Sequence, residues 1–355
     1  MAGGHGAGVA TRVAGLDALR GVAIALVILR HAWPEGLGGA GIVGVTMFFA
    51  LSGFLITGLL QSDITKRGRV DYARFYAHRA FRLLPALLAV LVAFVIVDGL
   101  IDLLGQRDRV PLTMAVALTY TADLPLGVSM AESMGHLWTL AIEEQFYLLW
   151  PLALVIALGA KKLGATIALG FAITTVALMT SIAIAAPEVE RIYGLPSSWA
   201  SAMLIGAGAR IYRDRLDSER WTQRTRAIVL AVAIALLAAA SFVPEAKSNP
   251  AMYIVGGPMI AVSAVILIFA AERRTTTPRW FTPLVLLGLI SYAAYLWNYP
   301  LTIWLREVAP GHWRVLAPIA TIGIATASWL AIERPARRLR NRVDARRARG
   351  TRPDR

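Results

Sequence analysis

Ten apolar segments follow one another along the 355 residues, and nine of them are 17–22 residues long. A hydrocarbon core about 30 Å thick takes roughly 20 helical residues to cross, so this recurrence points to a multi-pass membrane bundle. The segments are Leu16–Trp33, Gly41–Leu60, Leu83–Leu104, Leu137–Leu158, Ala165–Ala186, Ser197–Ala209, Ala227–Val243, Met252–Ala271, Leu284–Leu305 and Val315–Ile332. The sixth is the short one. Pro111–Thr119 is also apolar but cannot cross, and we place it at the membrane interface. Hydrophobic residues make up 57% of the chain and charged ones 16%, against roughly 45–50% and 25% in soluble domains. A soluble enzyme, a disordered protein and a disulfide scaffold are excluded. The absence of cysteine removes thiolate nucleophiles and cysteine zinc sites as well, and no metal site is expected. Arg20 interrupts the first segment and no small-residue cleavage site follows, so we read it as a retained span. The expected fold is an all-α integral membrane bundle of about ten transmembrane helices in the cell membrane. Residues 1–14 form a short N-terminal segment, 15–339 the membrane domain and 340–355 a basic, disordered tail.

The net charge of +14 raises the question of nucleic acid. Its distribution answers it. Twenty-eight of the 36 Lys and Arg residues fall in loops and ends on one side of the bundle, six fall on the other, and Arg20 and Arg30 lie within the first segment. Basic loops face the cytoplasm. Both termini are therefore expected there, with anionic membrane lipid rather than nucleic acid as the partner of the arginine-rich tail.

Ionisable residues inside spans cost several kcal/mol by insertion scales and mark function by default. The first span carries Arg20 and His31 on nearly one face, roughly 16 Å apart along the axis. Snorkelling of Arg20 and capping by His31 are the plain alternatives. If the fourth span starts at Leu137, Glu143 lies about 9 Å inside it, a depth near that of His31 and of Asn298 in the ninth span. Three polar side chains at one depth predict a shared buried site. A carboxylate beside an imidazole fixes its tautomer and raises its basicity. Glu143 and Glu144 point about 100° apart, so at most one serves it. Between the second and third spans, Arg79 and Arg82 are neighbours if that stretch is helical. Two guanidiniums on one face suit a phosphate-bearing ligand, with ordinary cytoplasmic charge as the plain reading.

Several segments, in this order, closely resemble the acyltransferase family 3 membrane proteins, which acylate hydroxyl groups of sugars and related acceptors. Gly15–Gly21 followed by His31 matches the arginine–ten residues–histidine pattern, and Val45–Thr57 the second-span signature. Arg79 and Arg82 match the R-x-x-R pair, His136–Pro151 the block with the E-x-Q-F-Y core, Ser291–Pro300 the S-Y-x-x-Y-L-W motif, and Ile332–Pro335 the closing E-x-P. The likeness runs from about Leu16 to Leu339. Thr46 stands where members usually have aspartate, Asn298 where many have histidine, and His78 where arginine is common.

The resemblance implies an O-acyltransferase with acyl-CoA, expected to be acetyl-CoA, as donor substrate and no tightly bound cofactor. The donor's phosphates would sit on Arg79 and Arg82, helped by Arg74 and Arg20. His31 would take the proton of an acceptor hydroxyl attacking the thioester, and Glu143 would orient it. Ser52, Trp138, Tyr147 and Asn298 are candidates for the substrate pocket, although Trp138 and Tyr147 equally suit membrane anchoring and Ser52 close helix packing. Many members carry an extracytoplasmic esterase-like domain. This sequence ends soon after the tenth span, as do members that acylate macrolides, so sugar, polysaccharide-precursor and macrolide-like acceptors all stay open. No G-x-S-x-G elbow is present to support a serine acyl-enzyme. The rival from another class is a proton-coupled transporter, since buried Arg, His and Glu also suit a proton relay. Against it, no inverted repeat is visible. A non-catalytic scaffold would leave the aligned histidine and carboxylate without a purpose.

Overall fold

The structure is a computed structural model that describes residues 14–124, 129–216, 221–273 and 278–350. Its helices are α1 (Ala14–Ala32), α2 (Ala40–Arg67), α3 (Tyr72–Phe94), α4 (Val110–Thr119), α5 (Trp138–Gly159), α6 (Leu163–Ala185) and α7 (Pro196–Ile211). They continue as α8 (Arg213–Leu216), α9 (Gln223–Ser241), α10 (Gly257–Glu272), α11 (Thr282–Leu289), α12 (Ser291–Val308), α13 (Trp313–Ser328) and α14 (Arg334–Gly350). Among the described residues there is no strand. The first thirteen residues of the expected N-terminal segment lie outside the described residues.

Seven helical segments among the described residues are long and apolar enough to cross a membrane, and the α11–α12 pair, bent by 67°, makes an eighth. The expectation of about ten is met to that extent. The other two expected spans are helical but differ in kind. The 19-residue α1 carries Asp17, Arg20 and Arg30, and α7 has only 16 residues, about 24 Å of helix. Both pack against other helices over much of their surface, α1 on α2 and α11, α7 on α2 and α10.

These crossings are close because glycine lets them be. A Cβ on Gly206 of α7 would overlap the Ala50 carbonyl of α2, and one on Gly53 of α2 would overlap the Met203 carbonyl of α7. Small residues at such contacts let helix backbones touch without a hydrophobic driving force between them. At the start of α3, the Asp71 side chain accepts the Arg74 backbone N–H at 3.0 Å, an N-cap that fixes where the helix carrying Arg79 and Arg82 begins.

Two expectations are corrected. Pro111–Thr119 does not lie at the interface. Glu132 N–H bonds the Gln106 side chain at 2.8 Å, which sets both residues at one level of the bundle. From there α4 runs inward, and the turn after it is held by Gln145 of α5, whose amide donates to the Tyr120 carbonyl at 3.1 Å and to Asp123 at 2.8 Å. Descent from Gln106 to Tyr120 and from Glu132 to Gln145 each comes to roughly 20 Å, so α4 enters the bundle from its end rather than lying across it. Its backbone polar groups can turn inside the bundle because protein side chains satisfy them there. Residues 340–350 of the basic tail, expected to be disordered, are helical instead, and 351–355 lie outside the described residues. α14 continues to Gly350, through Ala, Leu and Arg, which favour helix. His78 ties it to α3 through Asp344 at 2.8 Å.

Candidate functional site

The helices bring their polar residues into two clusters. The first surrounds a cavity of about 70 Å³ near the end of the bundle where α3 begins, hereafter the basic end. Arg20 of α1, Ser52 of α2, Arg82 of α3 and Glu143 of α5 line it, and α12 adds Ser291, Tyr292 and Tyr295. The bend between α11 and α12 falls at Ile290, next to Ser291, so the broken helix opens onto this space. Glu143 accepts hydrogen bonds from Ser52 and, at 2.5 Å, from Tyr147. Glu144, turned away from it on the same helix, accepts from Arg79 at 3.3 Å. The Arg79 guanidinium also lies 3.2 Å from the centre of the Tyr147 ring, a cation–π contact.

The second cluster lies toward the opposite end. The His31 ring approaches Asn298 through Nδ1, which is 2.5 Å from the amide oxygen. Asn298 is 1% exposed and donates its Nδ2 to Thr321 at 3.2 Å. With the amide nitrogen committed to Thr321, Oδ1 faces the imidazole and can only accept. In the neutral ring the proton then sits on Nδ1, which leaves the lone pair on Nε2. The Tyr299 ring packs edge-on against His31, with centroids 5.0 Å apart. Behind it is His136, 5.4 Å from both Tyr299 and Tyr295. The His136 ring is buried, and neither nitrogen has a side-chain hydrogen-bond partner. Tyr295 links the clusters. It lines the cavity while its hydroxyl donates to the His136 carbonyl at 2.9 Å and meets Thr139 at 2.5 Å.

Glu143 is therefore not the hydrogen-bonding partner of His31, and neither is Glu144; Asn298 is. The depth argument failed on one number. The fourth span does not start at Leu137. A 3₁₀ segment, Glu132–Leu137, precedes α5, and its Glu132 pairs with Arg306 at 2.7 Å at the end of the bundle away from Arg82. Leu137 is already 2% exposed. The extra turns set Glu143 about 10 Å deeper than assumed, level with the cavity rather than with His31.

The remaining predicted residues divide. Arg20, Arg82 and Ser52 face the cavity, with Tyr147 and Arg79 packed beside it through Glu143 and Glu144. Arg74 lies in the first turn of α3, about 12 Å along the helix from Arg82, and does not reach the cavity lining. Trp138 is buried at 8% exposure among Phe49, Tyr193 and Trp199, a packing position. Sequence reasoning passed over Thr321 and His136 as site residues, and over Ser291, Tyr292 and Tyr295. A signal for the last group was present. Ser291, Tyr295, Asn298 and Thr302 are spaced four, three and four apart, which puts one polar stripe along α12.

The arrangement offers two guanidiniums beside a polar cavity, and an oriented imidazole further along the same bundle. The family model described as "Acyltransferase domain" matches residues 13–333. The chain is 29% identical to the peptidoglycan O-acetyltransferase OatA of Listeria monocytogenes, over 92% of this chain and 56% of that protein. It is 28% identical to the O-acetyltransferase OatA of Staphylococcus aureus, over 91% of this chain and 57% of that protein. The chain thus spans a little over half the length of these curated relatives. No solved structure matches it significantly. Relatives named as acetyltransferases give the transporter reading no support.

Proposed function

We infer the function from the premise that this multi-pass membrane protein belongs to the acyltransferase-domain family, and propose that it moves an acetyl group from acetyl-CoA to a hydroxyl of an envelope polysaccharide of the peptidoglycan type. The observation that carries the reading is the pairing of Arg20 and Arg82 around the cavity that also holds the Ser52–Glu143 pair. Guanidiniums grip phosphate oxygens bidentately, so the basic end takes the phosphates of CoA, with Arg74 and Arg79 adding positive charge around it. The pantetheine arm extends through the cavity past Glu143 toward Tyr295. His31 is the general base. Its Nε2 accepts the proton of the acceptor hydroxyl as that oxygen attacks the thioester carbonyl. The C–S bond then breaks, and the thiolate leaves to take up a proton as free CoA. Asn298 holds the required tautomer, the role first assigned to Glu143. Glu143, with Ser52 and Tyr147 donating to it, shapes the passage for the thioester. The activity named for the Listeria monocytogenes relative supports peptidoglycan as acceptor over a macrolide-like molecule.

Orientation follows the basic asymmetry: both termini and the Arg79–Arg82 region face the cytoplasm, where acyl-CoA is made, and His31 faces the envelope. Single cysteines placed in the loops of this cysteine-free chain report the topology. Labelling of position 67 by an impermeant reagent from outside would overturn it. The function is tested with purified protein in nanodiscs, ¹⁴C-acetyl-CoA and soluble peptidoglycan fragments. Label on the fragments, released by mild base as an ester, is the expected result. No transfer to fragments, with transfer to a small-molecule hydroxyl instead, would replace the acceptor class.

A further inference from the structure

Two open grooves run along the membrane face of the bundle on either side of α9, and they differ in one respect. The first, about 560 Å³, lies among α1, α9 and α10 and is lined without a single charged residue. The second, about 800 Å³, lies among α6, α7, α9 and α10. It has the same apolar floor but ends at Arg215, Arg226 and Arg273, with Trp221 beside them. Bilayer chains fill the first as they fill any lipid-facing surface. The second is shaped for a molecule with a polar end.

Its length sets what that molecule is. Along α10 the lining runs from Arg273 to Val262, eleven residues or about 16 Å of helix, close to half of a hydrocarbon core of about 30 Å. A slot one leaflet deep, apolar along its walls and basic at its mouth, matches a lipid that sits in one leaflet with its headgroup at the surface. The sign of the headgroup follows from the rim. Among the described residues that line the groove, the charged ones are all arginines, Arg215, Arg226 and Arg273. Trp221 is 43% exposed, and tryptophan favours the headgroup level. Basic pockets between transmembrane helices hold anionic headgroups.

We propose that the groove among α6, α7, α9 and α10 is a binding site for one anionic phospholipid, its phosphate among Arg215, Arg226 and Arg273 and an acyl chain along α10 as far as Val262. The site is separate from the cavity at Arg20 and Arg82 and does not depend on the acyl-transfer reading.

Native mass spectrometry of the full-length protein, released from detergent with phosphatidylglycerol or phosphatidylcholine of identical chains, tests it. One phosphatidylglycerol retained per chain is expected, and phosphatidylcholine is expected to be lost. At about fivefold in affinity per basic residue, Arg273→Gln weakens retention about fivefold, and the triple Arg215→Gln, Arg226→Gln, Arg273→Gln variant on the order of a hundredfold. Val262→Trp fills the slot at a position that is 49% exposed. It leaves every charge in place and still lowers retention, so it carries the test if the triple variant fails to fold. Equal retention of the two lipids would overturn the proposal, as would full retention by a folded triple variant. Displacement of phosphatidylglycerol by millimolar inorganic phosphate would show a headgroup site without a chain site, and would also overturn it.

Discussion

The two polar clusters share α1 and α12, yet they treat their polar groups differently. At the basic end, Arg20 and Arg82 face open space. At the other, His31, Asn298 and Thr321 are joined in a hydrogen-bonded chain. The difference separates two kinds of work. Binding a polyanion needs positive charge left accessible, because a guanidinium engaged by the protein must give up that contact first. Arg79, held by Glu144 and Tyr147, is in that position. Proton transfer needs a group fixed in one tautomer before substrate arrives, and fixing consumes hydrogen bonds. A buried polar network that is fully connected also resists rearrangement. The bundle thus keeps charge available where a ligand must be caught and hydrogen bonds closed where geometry must be kept.

The largest effect that would break this division is at His31. His31→Ala is expected to lower kcat by about 10²–10⁴-fold, the usual contribution of a general base, while acetyl-CoA affinity by calorimetry stays at the wild-type value. The two readouts belong to different clusters, so they should move independently. Transfer at the wild-type rate would return His31 to the status of a residue at a span end. A joint loss of rate and affinity would mean that the clusters are one site.

A smaller effect sharpens the contrast within the R-x-x-R pair. A charge-assisted hydrogen bond contributes about 1.5–3 kcal/mol, so Arg82→Ala should raise the KM for acetyl-CoA about tenfold or more. Arg79→Ala should leave KM closer to wild type and act on stability instead, because it strands Glu144 and uncovers the Tyr147 ring. Thermal unfolding in nanodiscs, run beside the kinetics, separates them: Tm falls for Arg79→Ala and holds for Arg82→Ala. The opposite pattern would place the donor's phosphates on Arg79.

The architecture was legible where it depends on what a residue is, and less so where it depends on what a residue meets. Apolar length located the long helices, and the stripe Ser291, Tyr295, Asn298 lay open to the 3.6-residue period. Glu143 was found as a buried acid and given the wrong partner. The segment Glu132–Leu137, with Ser133, Gly135 and His136, reads as a polar loop. It enters the bundle only because Asp98 accepts from Ser133 at 3.2 Å and because His136 packs between two tyrosines. The inward course of α4 rests on the same kind of fact. Ten apolar residues cannot reveal that Gln145, more than twenty positions on, will hold the turn behind them. Register along a membrane helix is set by such long-range contacts, and a misread start moves every later residue in depth.

The smallest effect is the most specific to the closed cluster. Thr321 is not among the residues that line the cavity, and its hydroxyl receives the Asn298 Nδ2 proton. That contact decides which end of the amide faces the imidazole. Without it the amide can turn and present Nδ2, which suits an unprotonated Nδ1 and moves the ring proton to Nε2, the atom that must stay bare to act as a base. A neutral hydrogen bond contributes about 0.5–1.5 kcal/mol, so Thr321→Val should reduce kcat by about two- to tenfold. KM for acetyl-CoA should not change, since the donor cluster is untouched. Thr321→Ser keeps the hydroxyl and should restore the rate. Nitrogen chemical shifts of ¹⁵N-labelled histidine, assigned by the loss of signal in His31→Ala, read the tautomer directly. The Nδ1-protonated form should dominate in the wild type and give way in Thr321→Val. If Thr321→Val keeps both the wild-type kcat and that tautomer, the amide is oriented by something other than Thr321, and the chain of three residues is packing rather than positioning.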